Sequence, residues 1–353
     1  MRSTVILIKS EGDSKMDKTE QILELLKAEL KAGKYEINQR FPSEYELAER
    51  FGVNKKTANK AVSFLVSNGW LVRGKRGQGT FVTAVQPFPK GQLICISELK
   101  QQAQADFLSG AQAAAYQHDY LISFANPPFN KLKQFLEQLE HSPIKGIITG
   151  YYGHLDTKLP TVYMDRVEKK NEQPFYSVDC DNYQGGYEMM KLLLGRGHRD
   201  LVIFFLSELK PERLQGFYDA MKKAGISDFA KRTFNWHDVS KYEAVKQVKA
   251  AMKKFPRATA FVCGSDDLLF CTMQAFDYLE FKWKNKIALT GFGNLYRRDS
   301  GLPIASVEQH TYNVGFTAVE HLINLVEQRA EEVPLKTIID VEIVNPGNVP
   351  LIQ

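Results

Sequence analysis

The chain has 353 residues, of which 44% are hydrophobic and 25% charged, with a formal net charge of +5. That length exceeds one ordinary hydrophobic core and predicts two domains, and the composition is that of a soluble globular protein rather than a disordered or membrane-embedded one. The first 90 residues hold 16 of the 46 Lys+Arg but only 10 of the 41 Asp+Glu, so the positive excess lies there and a polyanion is its expected partner.

Residues 1–15 read as a flexible leader. Their apolar stretch, 5–8, is too short for a signal-peptide core, and the longest apolar run, 201–206, is far too short to span a membrane. A cytoplasmic protein without a membrane partner is expected. Residues 16–85 read as one domain. Asp17 and Glu20 resemble a capping box, Ile22, Leu25, Leu26 and Leu30 repeat at helical spacing, and Gly33 suits the stop. Ser43 and Glu46 form a second box, opening a helix that buries Leu47, Ala48 and Phe51. Gly52 makes a turn, and Asn54 can cap a third helix whose Ala58, Ala61, Val62 and Leu65 face inward. Strands at 70–72 and 80–83 flank a hairpin with Gly74, Gly77 and Gly79. Three helices and a hairpin give the order of a winged helix-turn-helix, an α+β domain.

Residues 86–91 read as a linker, and 92–353 as a second domain. There, short apolar strands (93–96, 120–124, 146–148, 201–205, 260–263, 287–290) alternate with helical stretches (101–117, 130–140, 212–224, 241–254, 267–280). Such alternation implies parallel sheets with crossover helices, and its length implies two α/β lobes with a cleft between them.

Between 54 and 82 there are six basic residues and no acidic one. Lys55, Lys56, Asn59 and Lys60 share the face of the third helix opposite its apolar back, as major-groove reading requires. Lysine reaches phosphate or guanine, and asparagine pairs with adenine in bidentate fashion. Arg73, Lys75, Arg76 and Gly77 at the hairpin can approach adjacent phosphates or the minor groove.

No catalytic residue is expected. Gly74, Gly77 and Gly79 lie in a hairpin rather than between strand and helix, no P-loop or H-E-x-x-H is present, and no His pairs recognisably with a nucleophile. Cys95, Cys180, Cys263 and Cys271 form no C-x-x-C pair and read as free, packed thiols, so neither metal nor cofactor is expected.

Phe41-Pro42-Ser43-Glu44-Tyr45-Glu46-Leu47-Ala48, Phe51-Gly52-Val53, Trp70-Leu71-Val72 and Gly77-Gln78-Gly79-Thr80-Phe81-Val82 resemble the DNA-binding domain of the GntR family. The resemblance implies that helix two supports the fold, helix three reads the major groove and the wing enters the minor groove. It adds Ser43, Tyr45, Thr57 and Gln78 to the candidate DNA contacts. Tyr45 stands where that family usually has Arg, and Asn54-Lys55-Lys56-Thr57-Ala58-Asn59 replaces its usual Ser-Arg-x-Thr-Val-Arg, so a different operator is expected.

The second domain resembles the LacI/GalR effector domain, itself similar to periplasmic sugar-binding proteins. The motifs are Pro160-Thr161-Val162-Tyr163-Met164-Asp165-Arg166, Gly197-His198-Arg199, Arg213-Leu214-Gln215-Gly216-Phe217, Ser265-Asp266, Gly291-Phe292-Gly293-Asn294 and Ser306-Val307-Glu308-Gln309. By this resemblance Asp165, Arg166, Arg213 and Gln309 contact a sugar, with Ser265, Asp266 and Asn294 as further candidates and Trp236 as a stacking face. Alternatives stay open: Asp266 as a helix cap, Arg166 in a surface ion pair, Trp236 in the core. Ser265 stands where that family often has Asn and Gly293 where it often has Asp. The lost acceptor at Gly293 points to a ligand with one fewer hydroxyl, a pentose or 6-deoxyhexose such as L-arabinose or L-fucose. The whole reading is a repressor of sugar-utilisation genes released by a monosaccharide, acting as a homodimer on a palindromic operator, with a sugar-responsive activator or a sugar-binding receptor without DNA function as the alternatives.

Overall fold

The computed structural model describes residues 18–75, 77–83, 89–97, 102–150, 154–165, 173–207, 209–283, 286–295 and 304–352. The leader, Asp17, Arg76, most of the expected linker and Arg166 lie outside the described residues. The chain divides at Gly91/Gln92 into two compact units, with Asp119–Leu121 grouped with the first.

The first unit runs α1 (Lys18–Lys31), β1 (Arg40–Phe41), α2 (Glu44–Phe51), α3 (Lys55–Ser67), β2 (Leu71–Arg73) and β3 (Thr80–Val82). Its sheet has the order β1-β3-β2, all antiparallel. Strand β1 was not legible beforehand, because two residues cannot show a period. Ile22, Leu26, Leu30, Leu47, Ala58, Ala61, Val62 and Leu65 form the core, joined by Trp70 and Val82. Leu25 shares the helical spacing of that group yet is 44% exposed. Gly52 adopts φ +63 and its N–H caps Ala48 and Glu49, which turns the chain from α2 into α3. Glu29 on α1 binds Arg50 on α2 through both guanidinium nitrogens and also Lys34, tying the two helices together. Burial pushes the Glu29 carboxyl up, but those hydrogen bonds and charges win and hold it at about 2.

In the second unit, β4 (Gly91–Ile96), α4 (Gln102–Gln117), β5 (Tyr120–Ala125), α5 (Leu132–Glu140), β6 (Ile144–Thr149), β7 (Thr161–Met164) and β8 (Tyr176–Cys180) begin one lobe. The chain then crosses into α6 (Asn182–Gly195), β9 (Leu201–Leu206), α7 (Pro211–Lys223), α8 (Phe229–Arg232), β10 (Thr233–Trp236), α9 (Lys241–Lys254), β11 (Ala260–Cys263), α10 (Asp266–Tyr278), β12 (Ala288–Phe292) and β13 (Ala305–Glu308). It returns to the first lobe for α11 (Thr311–Val326) and β14 (Lys336–Ile339), then closes the second sheet with β15 (Glu342–Val344). The sheet orders are β14-β8-β7-β6-β4-β5 and β10-β9-β11-β12-β13-β15. Pairing is parallel along β14-β8-β7-β6-β4 and along β10-β9-β11-β12-β13, and antiparallel between β13 and β15. Among the described residues no helix is long and apolar enough to cross a membrane.

The inner strand β9 reads Leu-Val-Ile-Phe-Phe-Leu because both of its faces are covered: Leu201, Ile203 and Phe205 face one core, Val202 and Phe204 the other. Each lobe also brings two helices to backbone contact through a pair of glycines. A Cβ on Gly110 of α4 would stand 1.9 Å from the Tyr312 carbonyl of α11, and one on Gly315 would stand 2.0 Å from that of Phe107. In the other lobe, Gly186 of α6 and Gly216 of α7 meet in the same way, with a Cβ on Gly186 only 2.2 Å from the Arg213 carbonyl. This second crossing fixes where the Arg213 side chain starts.

Candidate nucleic-acid interface and effector site

On the first unit, α3 begins at Asn54, whose Oδ1 accepts the Thr57 N–H at 2.8 Å and its hydroxyl at 3.1 Å. Thr57 is therefore held to the cap, while Lys55, Lys56, Asn59 and Lys60 are exposed. Tyr45, on α2, is 68% exposed, and the Lys55 ammonium lies 3.7 Å from its ring centre. A cation over an aromatic face stands where the resembling family would place Arg. Ser43 closes the capping box: its Oγ accepts the Glu46 N–H, and the Glu46 carboxylate accepts the Ser43 N–H at 2.7 Å. At the wing, Gln78 Oε1 accepts the Lys75 N–H at 3.0 Å, and Gly77 and Gly79 take φ +88 and +90. Gln78 thus closes its own turn with its carbonyl, leaving its amide N–H groups for a partner. One expectation needs correction. Bidentate pairing of Asn59 with adenine requires its carbonyl oxygen, and that oxygen is already taken by Arg73 at 3.0 Å and Ser63 at 3.2 Å.

In the second unit, the chain passes between the lobes at 180–182, 308–311 and 339–342, and polar side chains gather where it does so. Cys180 ends β8, and its thiol lies close to several candidates. Gln309, on another crossing, donates from Nε2 to its Sγ at 3.2 Å, and Asp165, Arg213 and Asp179 all act on it electrostatically. Burial pushes the thiol up to about 12, so it stays neutral. Arg213 is 3% exposed; it donates to Asn182 Oδ1 and to the Gly264 carbonyl, and its guanidinium lies 3.5 Å from the Phe292 ring centre. Asp165 follows β7 in the left-handed region at φ +47. Its Oδ1 is buried and has no hydrogen-bond partner among the described residues. Asp179, in the lobe of β8, pairs with Lys210, which precedes α7 in the other lobe, at 3.0 Å with both side chains under 10% exposed. Burial and the nearby Asp165 push the Asp179 carboxyl up, and Lys210 opposes them.

Asp165, Arg213 and Gln309, from segments far apart in the chain, thus all act on the Cys180 thiol, Gln309 through a hydrogen bond and the two charged groups electrostatically. Gly293 stands beside Gln309: a Cβ there would be 3.5 Å from Oε1. At φ +130 that position favours glycine on backbone grounds alone, so the missing Asp does not by itself report on the ligand. Asn294 donates to Glu308 at 2.5 Å and its own N–H bonds Ser306 Oγ. Ser265 caps α10 by accepting the Leu268 N–H.

Two candidates are corrected. Trp236 is 1% exposed and packs against Phe204 at 5.2 Å between ring centres, inside the core that the sheet shares with α9 and α10. It offers no stacking face. Asp266 is 2% exposed and braces the loops after β12 and β13, accepting from Ser306 Oγ at 2.8 Å and the Leu295 N–H at 2.7 Å. Burial pushes its carboxyl up to about 6 against those bonds. Its alternative reading as the cap fails too, since Ser265 fills that role. His198 of the Gly-His-Arg motif is likewise internal: its ring bonds Thr259 and the Pro350 carbonyl, anchoring the C-terminal segment. Sequence reasoning missed Asp179, Cys180, Asn182 and Lys210. The local signal was the Asp179 carboxylate inside the strand Tyr-Ser-Val-Asp-Cys.

Residues 18–82 match the family described as bacterial regulatory proteins, gntR family, and 92–346 match periplasmic binding proteins and sugar binding domain of LacI family. An arabinose metabolism transcriptional repressor of Geobacillus stearothermophilus is 24% identical over 326 residues, covering 85% of this chain and 88% of that protein. Among solved structures, a transcriptional regulator CelR–cellobiose complex superimposes with a TM-score of 0.64 at 16% identity, covering 86% of this chain and 98% of that one. The lac repressor dimer bound to operator and an anti-inducer superimposes at 0.61 with 17% identity, over 74% of this chain and 94% of that one.

Proposed function

We infer the function from one premise: the chain belongs to the family of periplasmic binding proteins and LacI-type sugar binding domains, and carries a gntR-family regulatory head. It is a DNA-binding transcription regulator, a repressor of sugar-utilisation genes, and not an enzyme. A protein with this role works where the chromosome is, in the cytoplasm.

One reading helix covers only a half-site, so a homodimer on a palindromic operator is the working assembly. Lys55, Lys56 and Lys60 meet phosphates and base edges from α3, with Tyr45 orienting Lys55, and Lys75 with Arg76 anchors the wing. The effector is a monosaccharide held between the lobes by Asp165, Arg213 and Gln309. L-arabinose leads the candidates because a relative spanning most of the chain is a repressor of arabinose metabolism. The single observation that carries a polyhydroxyl ligand is the buried Oδ1 of Asp165, unpartnered among the described residues. A buried acceptor left unsatisfied costs free energy, and a sugar hydroxyl supplies the missing donor.

The test is calorimetry of the full chain with L-arabinose, L-fucose and D-xylose, on wild type and Asp165→Asn. Asparagine tolerates the left-handed backbone but loses the charge-assisted bond, so the bound sugar should weaken by about tenfold. No binding by any of the three sugars to wild type, or equal binding by the variant, would overturn the site.

A further inference from the structure

We propose that Arg73 sets which base Asn59 reads: it holds the Asn59 amide with its oxygen turned inward, so that Asn59 presents only N–H donors and selects guanine. The proposal rests on the reading of α3 as a DNA-recognition helix. Asn59 and Ser63 lie one turn apart on the exposed face of α3, and Arg73 ends β2 beside them. The Arg73 Nη2 donates to Asn59 Oδ1 at 3.0 Å and to Ser63 Oγ at 3.0 Å, and the Ser63 hydroxyl donates to the same Asn59 oxygen at 3.2 Å. The guanidinium also lies 3.6 Å from the Glu44 carboxylate of α2. Three elements of the head therefore converge on one arginine.

The chemistry removes the usual freedom of an amide to face either way. A guanidinium has five donors and no acceptor, so the Asn59 atom that faces Arg73 has to be the oxygen. The serine hydroxyl completes a closed triangle, accepting from Arg73 while donating to Asn59. Nδ2 then points away from the triangle with both N–H groups uncommitted among the described residues. Adenine in the major groove offers one acceptor and one donor, and needs an amide that can both donate and accept. Guanine offers two acceptors, O6 and N7, side by side. An asparagine limited to donation matches guanine. The residue types on α3 alone suggested adenine; the wing residue behind the helix changes the code. Glu44 has a part here as well, because it draws the guanidinium towards α2 and keeps it off the phosphates.

The experiment is selection from a randomised double-stranded DNA pool by the full-length chain, for wild type, Arg73→Ala and Arg73→Lys. Wild type should select duplexes with a guanine fixed at one position of each half-site. Arg73→Ala frees the carbonyl, and the guanine-over-adenine ratio at that position should fall by about tenfold, with other positions unchanged. Arg73→Lys keeps a donor facing the oxygen and should keep the guanine. A purely structural or phosphate-binding Arg73 would lower affinity for all sequences alike and leave the ratio where it was. An unchanged ratio in Arg73→Ala, or adenine at that position in wild type, overturns the proposal while leaving sequence-specific DNA binding intact. Wild type that enriches no sequence overturns both.

Discussion

The two units of this chain prepare their polar residues in opposite ways. In the head, the side chains offered to a partner are exposed, and each is oriented by one or two neighbours: Lys55 by the Tyr45 ring, Asn59 by Arg73, Gln78 by the Lys75 N–H. In the effector unit the polar side chains are buried and mostly bound to one another, as with Asp179–Lys210 and Arg213–Asn182–Gly264, while the Asp165 Oδ1 has no partner among the described residues. The difference follows from the ligands. DNA is a large polyanion that meets a surface, and long-range charge does much of the work. A small uncharged sugar must be enclosed, so the groups that meet it have to be dry and pre-oriented before it arrives. Substitutions in the second unit should therefore cost stability as well as binding, and those on the exposed face of the first should cost binding alone.

The sharpest way to break that contrast is at Lys210. Lys210→Met leaves Asp179 buried without its counter-charge, and this class of change costs about 3–5 kcal/mol. Thermal unfolding of the variant should show a large loss, and adding Asp179→Leu to remove the stranded carboxylate should recover most of it. A loss below about 1 kcal/mol would mean that the pair is wet and the lobes are not tied there. A smaller effect is expected at Glu29, the one strongly perturbed carboxylate among the described residues of the head. Its carboxyl lies well below its unfolded value of 4.5, so its contribution is present above that pH and fades as pH falls towards about 2. Glu29→Gln should cost about 1.5–3 kcal/mol at neutral pH. The gap between variant and wild type should close in acid, and a gap that stayed constant from pH 7 to pH 2.5 would contradict the ion pair.

Much of the head was legible because its determinants are local. A capping box, the glycine turn at Gly52 and an apolar back of period 3.6 on α3 all sit within a few residues of what they control. What failed there was the state of Asn59, set by Arg73 across fourteen residues of chain. The α/β architecture of the second unit was also legible, through apolar runs such as 201–206. Its candidate site was legible only by family resemblance, and motifs do not distinguish a residue placed to face a ligand from one that braces the fold. Asp165, Arg213 and Gln309 converge at the crossings, whereas Asp266, His198 and Trp236 turn into the interior. The Asp179–Lys210 tie was invisible for a different reason: its partners come from separate lobes, and neither lies in a quoted motif.

The central claim is that one chain couples these two kinds of site. The most direct measurement is fluorescence anisotropy of a duplex selected by the full-length chain, titrated with and without saturating L-arabinose or whichever monosaccharide binds by calorimetry. A sugar can shift DNA binding only by its differential affinity for the two states, and couplings of about 1–3 kcal/mol are usual. The account predicts that operator affinity falls by about five- to 150-fold with sugar, and that operator weakens sugar binding by the same factor. A sugar that binds the cleft while leaving operator affinity unchanged would contradict it.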